Sequence, residues 1–108
     1  MAIPQTLAAT QQQIVKAGVI CLDCRGQAEL EADPKVDGAL HVSCPGGNTE
    51  LVDKAIEEGL IPADKGTPIV AYCAAGGRAG RCLQRLAVLG YTDLVNGVNV
   101  QQMREALG

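Results

Sequence analysis

Apolar positions along the chain alternate between helical spacing and short unbroken runs. Leu7, Ile14 and Val15 fit one face of a helix over residues 5–17, stopped by Gly18. Residues 19–24 form a mostly apolar run that predicts a central strand, residues 27–32 a short helical turn, and residues 36–42 a turn and a strand. Residues 43–47 read as a loop holding Cys44. Asn48 or Thr49 then caps a helix presenting Leu51, Val52, Ala55 and Ile56 and ending at Gly59. After a return through Pro62, Ile69, Val70, Ala71 and Tyr72 read as a strand buried on both faces. From Ala79 the period changes: Cys82, Leu83, Leu86, Ala87 and Leu89 share a helical face up to Gly90. Residues 91–95 predict a last strand, Asn96-Gly97 a turn, and residues 100–107 a helix presenting Val100, Met103 and Leu107. The alternation implies an α/β domain, a mostly parallel central β-sheet with helices on both faces.

At 108 residues the chain has room for one domain, residues 1–108. Phe and Trp are absent and Tyr occurs twice, so the core is aliphatic and no stacking platform for single-stranded nucleic acid is expected. A net charge of −3 argues against a phosphate-backbone partner. No apolar run is long enough to span a membrane, and residues 1–18 lack the apolar core of a secretion signal. These features predict no membrane partner, a cytoplasmic location and reduced thiols. Charge is unevenly spread. Ten acids fall from Asp23 through Asp64, whereas Gly66 through Thr92 holds only Arg78, Arg81 and Arg85 as charged residues. A positive field suited to a small anion is therefore expected around the second segment. Arg85 reads as a solvated helix residue.

The chemistry concentrates where the buried strand passes into its helix, at Cys73-Ala74-Ala75-Gly76-Gly77-Arg78. The first amides of a helix lack internal acceptors, and the macrodipole places partial positive charge there. Gly76 and Gly77 allow positive φ, so that N–H groups can curl inward as an anion-binding nest. A thiol in such a bowl ionises readily. Arg78 breaks a local rule, since a cation at a helix N-terminus opposes the dipole; an anion-binding role would explain it.

On these residues, Cys73-x-x-Gly76-x-Arg78 after a buried strand and before a helix closing at Gly90-Tyr91, the chain resembles the single-domain rhodaneses. The resemblance extends to Asp23-Cys24-Arg25, similar to the Asp-x-Arg closing a core strand in that family, and covers nearly the whole chain. It implies a sulfurtransferase. Cys73 takes a sulfane sulfur from thiosulfate or another persulfide donor, holds it as a persulfide, and passes it to a thiol or to cyanide. The amides of Ala75, Gly76, Gly77, Arg78 and Ala79 would cradle the terminal sulfur and Arg78 would hold the donor's anionic group. Ala74 and Ala75 give the pocket mouth neither charge nor bulk. Asp23 and Arg25 take a structural part, tying loops at the strand end. Two family features are missing. Asp37 stands where the family often has Pro in His-x-Pro-Gly-Ala, and Gly97 stands alone, followed by Val98, where Gly-Gly and an aromatic are common.

Cys21 and Cys24 spell Cys-x-x-Cys, but on a strand residues three apart face opposite ways, so no redox or zinc pair is expected. His41 is the only histidine, and no metal or cofactor is expected. Cys82 falls on the apolar face of its helix and reads as core. Three alternatives remain open. One is a related phosphatase or arsenate reductase, whose loops place five residues between Cys and Arg where this chain has four. Another is a non-catalytic rhodanese-like interaction module, in which the cysteine is typically lost. The third is a thiol redox protein with Cys44 or Cys82 resolving Cys73.

Overall fold

The computed structural model describes residues 2–108. Four parallel strands, β1 (Ile20–Asp23), β2 (Leu40–His41), β3 (Ile69–Cys73) and β4 (Leu94–Asn99), form one sheet in the order β2-β1-β3-β4. Five helices pack around it: α1 (Leu7–Ile14), α2 (Gln27–Ala32), α3 (Glu50–Glu57), α4 (Gly77–Val88) and α5 (Val100–Leu107). A 3₁₀ turn, Pro45–Gly47, follows β2.

β3 shows why the architecture takes this form. All five of its residues are buried, and successive side chains point to opposite faces. Ile69, Ala71 and Cys73 join a core cluster with Cys82, Leu83 and Leu86 of α4 and Val52 and Ala55 of α3. Val70 and Tyr72 join a second cluster with Val95, Val100 and Met103. A strand apolar on both faces can be buried only in a sheet covered on both sides. Each fully buried leucine of α4, Leu83 or Leu86, contributes roughly 1.5–3 kcal/mol of transfer free energy.

Several expectations change in detail. α1 is shorter than residues 5–17: Thr6 accepts the N–H of Ala9 as its N-cap, and the helix closes at Val15. Val15 is 80% exposed, and the buried positions are instead Thr10 and Gln13. Gln13 Nε2 donates to the carbonyls of Ile69 and Asp93 and to Asp93 Oδ1, tying α1 to the starts of β3 and β4. Leu51 and Leu107 are exposed rather than buried, because α3 and α5 end their apolar stripes at Val52–Ala55 and Val100–Met103. The last strand begins later than residue 91 and runs through the expected turn. Tyr91 folds away, its hydroxyl donating to Pro62 O, and Gly97 becomes a bulge between the pairs Ala71–Asn96 and Tyr72–Val98. A Cβ on Gly97 would run into Met103 Sδ and crowd Val70 Cγ2, so a side chain there would force Met103 to shift.

Candidate active site

Cys73 is the last residue of β3, and the chain turns from it directly into α4. The turn depends on Gly76, which caps α4 with φ 95°, a left-handed conformation that side-chain-bearing residues adopt only under strain. This conformation aims amides back at the sulfur. Gly76 N lies 3.1 Å and Ala79 N 3.4 Å from Cys73 Sγ. Burial pushes the Cys73 thiol up; the N–H groups of Ala79, Ala75, Gly76 and Arg78 push it down, and the amides prevail, leaving it below the usual cysteine value. Ala74 and Ala75 are exposed at the loop tip, and Gly77 opens the first turn of α4.

Cys73 and Ala74 reach a cavity of about 400 Å³ whose other walls include Arg25, Glu29, Asp33, Asn99 and Gln101. The positive field expected there is largely offset. Arg78 grips Glu29 with two hydrogen bonds, Nη1–Oε1 at 2.6 Å and Nη2–Oε2 at 2.9 Å. Those contacts, with the Gly26 N–H, hold the Glu29 carboxyl down to about 2. Arg85 is likewise paired, to Asp53, on a half-exposed surface. The acidic segment has thus folded onto the basic one, which charge counting along the chain could not register.

Asp23 and Arg25 form a buried pair. Arg25 donates from its backbone N, Nε and Nη2 to the Asp23 carboxylate at 2.8–3.1 Å, and its guanidinium lies over the Tyr72 ring at 5.8 Å. The pair spans one turn at the end of β1, and it brings Arg25 to the cavity wall.

Two features were missed in the sequence. Asn96 is buried, donates from Nδ2 to Gly76 O at 3.0 Å, and accepts the Val98 N–H at 2.9 Å, so one side chain joins the β4 bulge to the cysteine loop. An asparagine in a predicted turn signals a turn residue and nothing more. The other is sulfur. Cys44 and Cys82 are joined in a disulfide, with Cα atoms 6.8 Å apart, which corrects the expectation of reduced thiols for these two, while Cys21, Cys24 and Cys73 are free. Cys24 lies beside them: the three sulfurs are within 4.8 Å of one another, and all three residues are fully buried. Cys73 is free, so neither expected resolving cysteine is bonded to it. Cys21 faces the other side of the sheet from Cys24, as strand geometry requires, and burial pushes its thiol up to about 12. Among the described residues no helix is long and apolar enough to cross a membrane.

Comparison with known proteins places these features in a wider setting. The family model described as "Rhodanese-like domain" matches residues 6–99. Among solved structures, the chain is similar to a rhodanese with anions from E. coli, at 23% identity and TM-score 0.60, over 78% of this chain and 89% of that one. It is similar to a Rhodopseudomonas palustris protein of unknown function titled a possible tyrosine phosphatase, at 20% identity and TM-score 0.69, over 97% and 83%. An uncharacterised Saccharomyces cerevisiae protein matches at 16% identity and TM-score 0.68, over 100% and 95%. No curated protein matches.

Proposed function

The chain belongs to the rhodanese-like domain family, and from that premise we propose that it is a sulfurtransferase with Cys73 as the sulfur carrier. The observation that carries this reading is the pair of amides, from Gly76 and Ala79, directed at a free cysteine at the end of a buried strand. In the reaction, the Cys73 thiolate attacks the outer sulfur of thiosulfate or a persulfide donor. The bond to that sulfur forms as the bond to sulfite or to the donor thiolate breaks. An acceptor thiol or cyanide then takes the sulfur and releases the Cys73 thiolate.

Thiolate formation alone explains little of the rate. For cysteines in general, a fall from about 8.5 to about 6.5 raises the thiolate fraction at pH 7 roughly 25-fold. Over the same range nucleophilicity drops about eightfold at a Brønsted slope near 0.45. The amides contribute mainly by stabilising negative charge on the transferred sulfur. Arg25, at the cavity wall, meets the donor's anionic end. Arg78 serves donor binding by neutralising Glu29, a carboxylate on the same wall that would otherwise repel an anion.

Phosphoryl transfer fits less well. A phosphoryl group carries three equatorial oxygens that each need a donor, and the four residues between Cys73 and Arg78 supply a small ring. A single sulfur atom fits such a ring. Thiosulfate sulfurtransferase and aryl-phosphatase assays run side by side test the reading. Sulfur transfer that vanishes in Cys73→Ser is expected; Cys73-dependent phosphate release without sulfur transfer would replace it.

A further inference from the structure

The proposed reaction uses Cys73 and leaves three buried sulfurs unexplained. Cys24 follows β1, Cys44 precedes the 3₁₀ turn, and Cys82 belongs to α4, so the fold rather than sequence proximity brings them together. Their sulfurs lie within 4.8 Å of one another, and no histidine or carboxylate joins them among the described residues. We propose that, once the Cys44–Cys82 disulfide is reduced, Cys24, Cys44 and Cys82 form a three-thiolate site for a trivalent thiophilic ion of the arsenic or antimony kind.

Donor set and charge select the ion. Sulfur-only ligation favours soft ions. A zinc ion wants four ligands and finds three. With three thiolates a monovalent ion leaves a net charge of −2 and a divalent one −1, either of which is costly to bury among Val42, Val52 and Leu83. A trivalent ion leaves none.

The chemistry balances. A dithiol reductant gives two electrons and two protons to the Cys44–Cys82 bond and becomes a disulfide. Arsenous acid then exchanges its three hydroxyls for three thiolates; each thiol proton leaves with a hydroxyl as water, and arsenic stays trivalent. Cys44 is fully buried, and the next two residues along the chain, Pro45 and Gly46, are exposed. The disulfide state closes the site, since only Cys24 then carries a thiol. Occupancy bears on the first sulfur site as well: Cys82 lies one turn along α4 from Ala79, whose amide touches Cys73.

The test uses the 108-residue chain carrying Cys21→Ser/Cys73→Ser, which keeps only the three clustered cysteines. It is reduced with a small dithiol, freed of it by anaerobic gel filtration, and mixed with arsenite. Native mass spectrometry should show one arsenic bound with the loss of three thiol hydrogens, and protection of all three thiols from alkylation. The oxidised protein should bind none. No adduct after reduction, an adduct that retains a hydroxyl on arsenic (two thiols only), or equal binding by the oxidised protein would each overturn the proposal. Cys24→Ala in the same background should lose the three-thiol adduct. The mass of the adduct on the intact cluster decides the matter even if that variant fails to fold, and neither readout depends on sulfur transfer.

Discussion

Cys73 and Cys24 leave neighbouring parallel strands at the same end of the sheet and on the same face, and Cys24 N donates to the carbonyl of Tyr72 at 2.8 Å. Both are buried, yet one thiol is held below the ordinary cysteine value and the other well above it. Burial acts on both in the same direction. The difference lies in what the chain does next. After Cys73 it turns through a left-handed glycine and presents amides to the sulfur. After Cys24 the next amide, that of Arg25, is already taken by the Asp23 carboxylate. A strand end makes a thiol reactive only when the following turn has N–H groups to spare.

The largest effect should come from comparing the two thiols directly. Alkylation followed by peptide mapping from pH 5 to 10 should give Cys73 a midpoint below the normal range for cysteine, with Cys24 unmodified until far higher pH. Each unit of separation is tenfold in thiolate population. Similar profiles for the two would show that the amides do not set the difference.

Next in size is the turn itself. Gly76→Ala places a Cβ at φ 95°, about 3.5 Å from Val98 Cγ1, so the space is adequate but the backbone is not. The expected cost is about 1–2 kcal/mol in chemical denaturation. The Cys73 alkylation midpoint should also rise toward that of Cys24. An unchanged midpoint would detach the loop conformation from the thiol's acidity.

Charge at the cavity wall should give a smaller effect. Arg78→Ala leaves Glu29 unpaired beside the donor, so the thiosulfate KM should rise while kcat holds. Arg78→Ala/Glu29→Gln should restore most of it. Failure of that rescue would mean that Arg78 touches the donor itself. The pair also carries a pH signature. Glu29 is depressed in the folded protein, so its contribution to stability is complete above about 4.5, its unfolded value. That contribution is lost as pH falls toward about 2. Glu29→Gln should flatten the stability curve in that window and nowhere else.

These comparisons also mark what the chain made legible beforehand. The β3–loop–α4 unit could be read because apolar spacing, glycine placement and a cysteine at the junction all act locally. The partner of Arg78 could not, since Glu29 lies 49 positions away and sequence spacing carries no signal for an ion pair between separate elements. Gln13, a polar residue among polar neighbours, carries no local signal of burial, yet it is buried because three acceptors at the starts of β3 and β4 satisfy its amide. The sulfur cluster escaped for a similar reason: Cys24 read as a strand residue, Cys44 as a loop residue and Cys82 as core, and only the fold brings the three together.

The smallest effect concerns Val98, which holds φ 71° where a β-branched residue is strained. Glycine there would relieve about 1–2 kcal/mol of backbone strain. The freer unfolded chain that glycine brings returns about 0.4–1 kcal/mol of this. Val98→Gly should therefore stay within about 1.6 kcal/mol of the parent in a denaturant titration. The side chain has a second effect. Val98 Cγ1 and Cα back the Gly76 turn at 3.5–3.6 Å from the point a Cβ would occupy, while Asn96 pins the same turn through Gly76 O. With the valine gone, Asn96 holds the loop alone, and the Cys73 alkylation midpoint should drift upward by less than in Gly76→Ala. Cys24, whose surroundings include neither residue, should not move. If stability falls by several kcal/mol while both midpoints stay fixed, Val98 serves the core and not the cradle, and the contrast between the two cysteines rests on Gly76 and Asn96 alone.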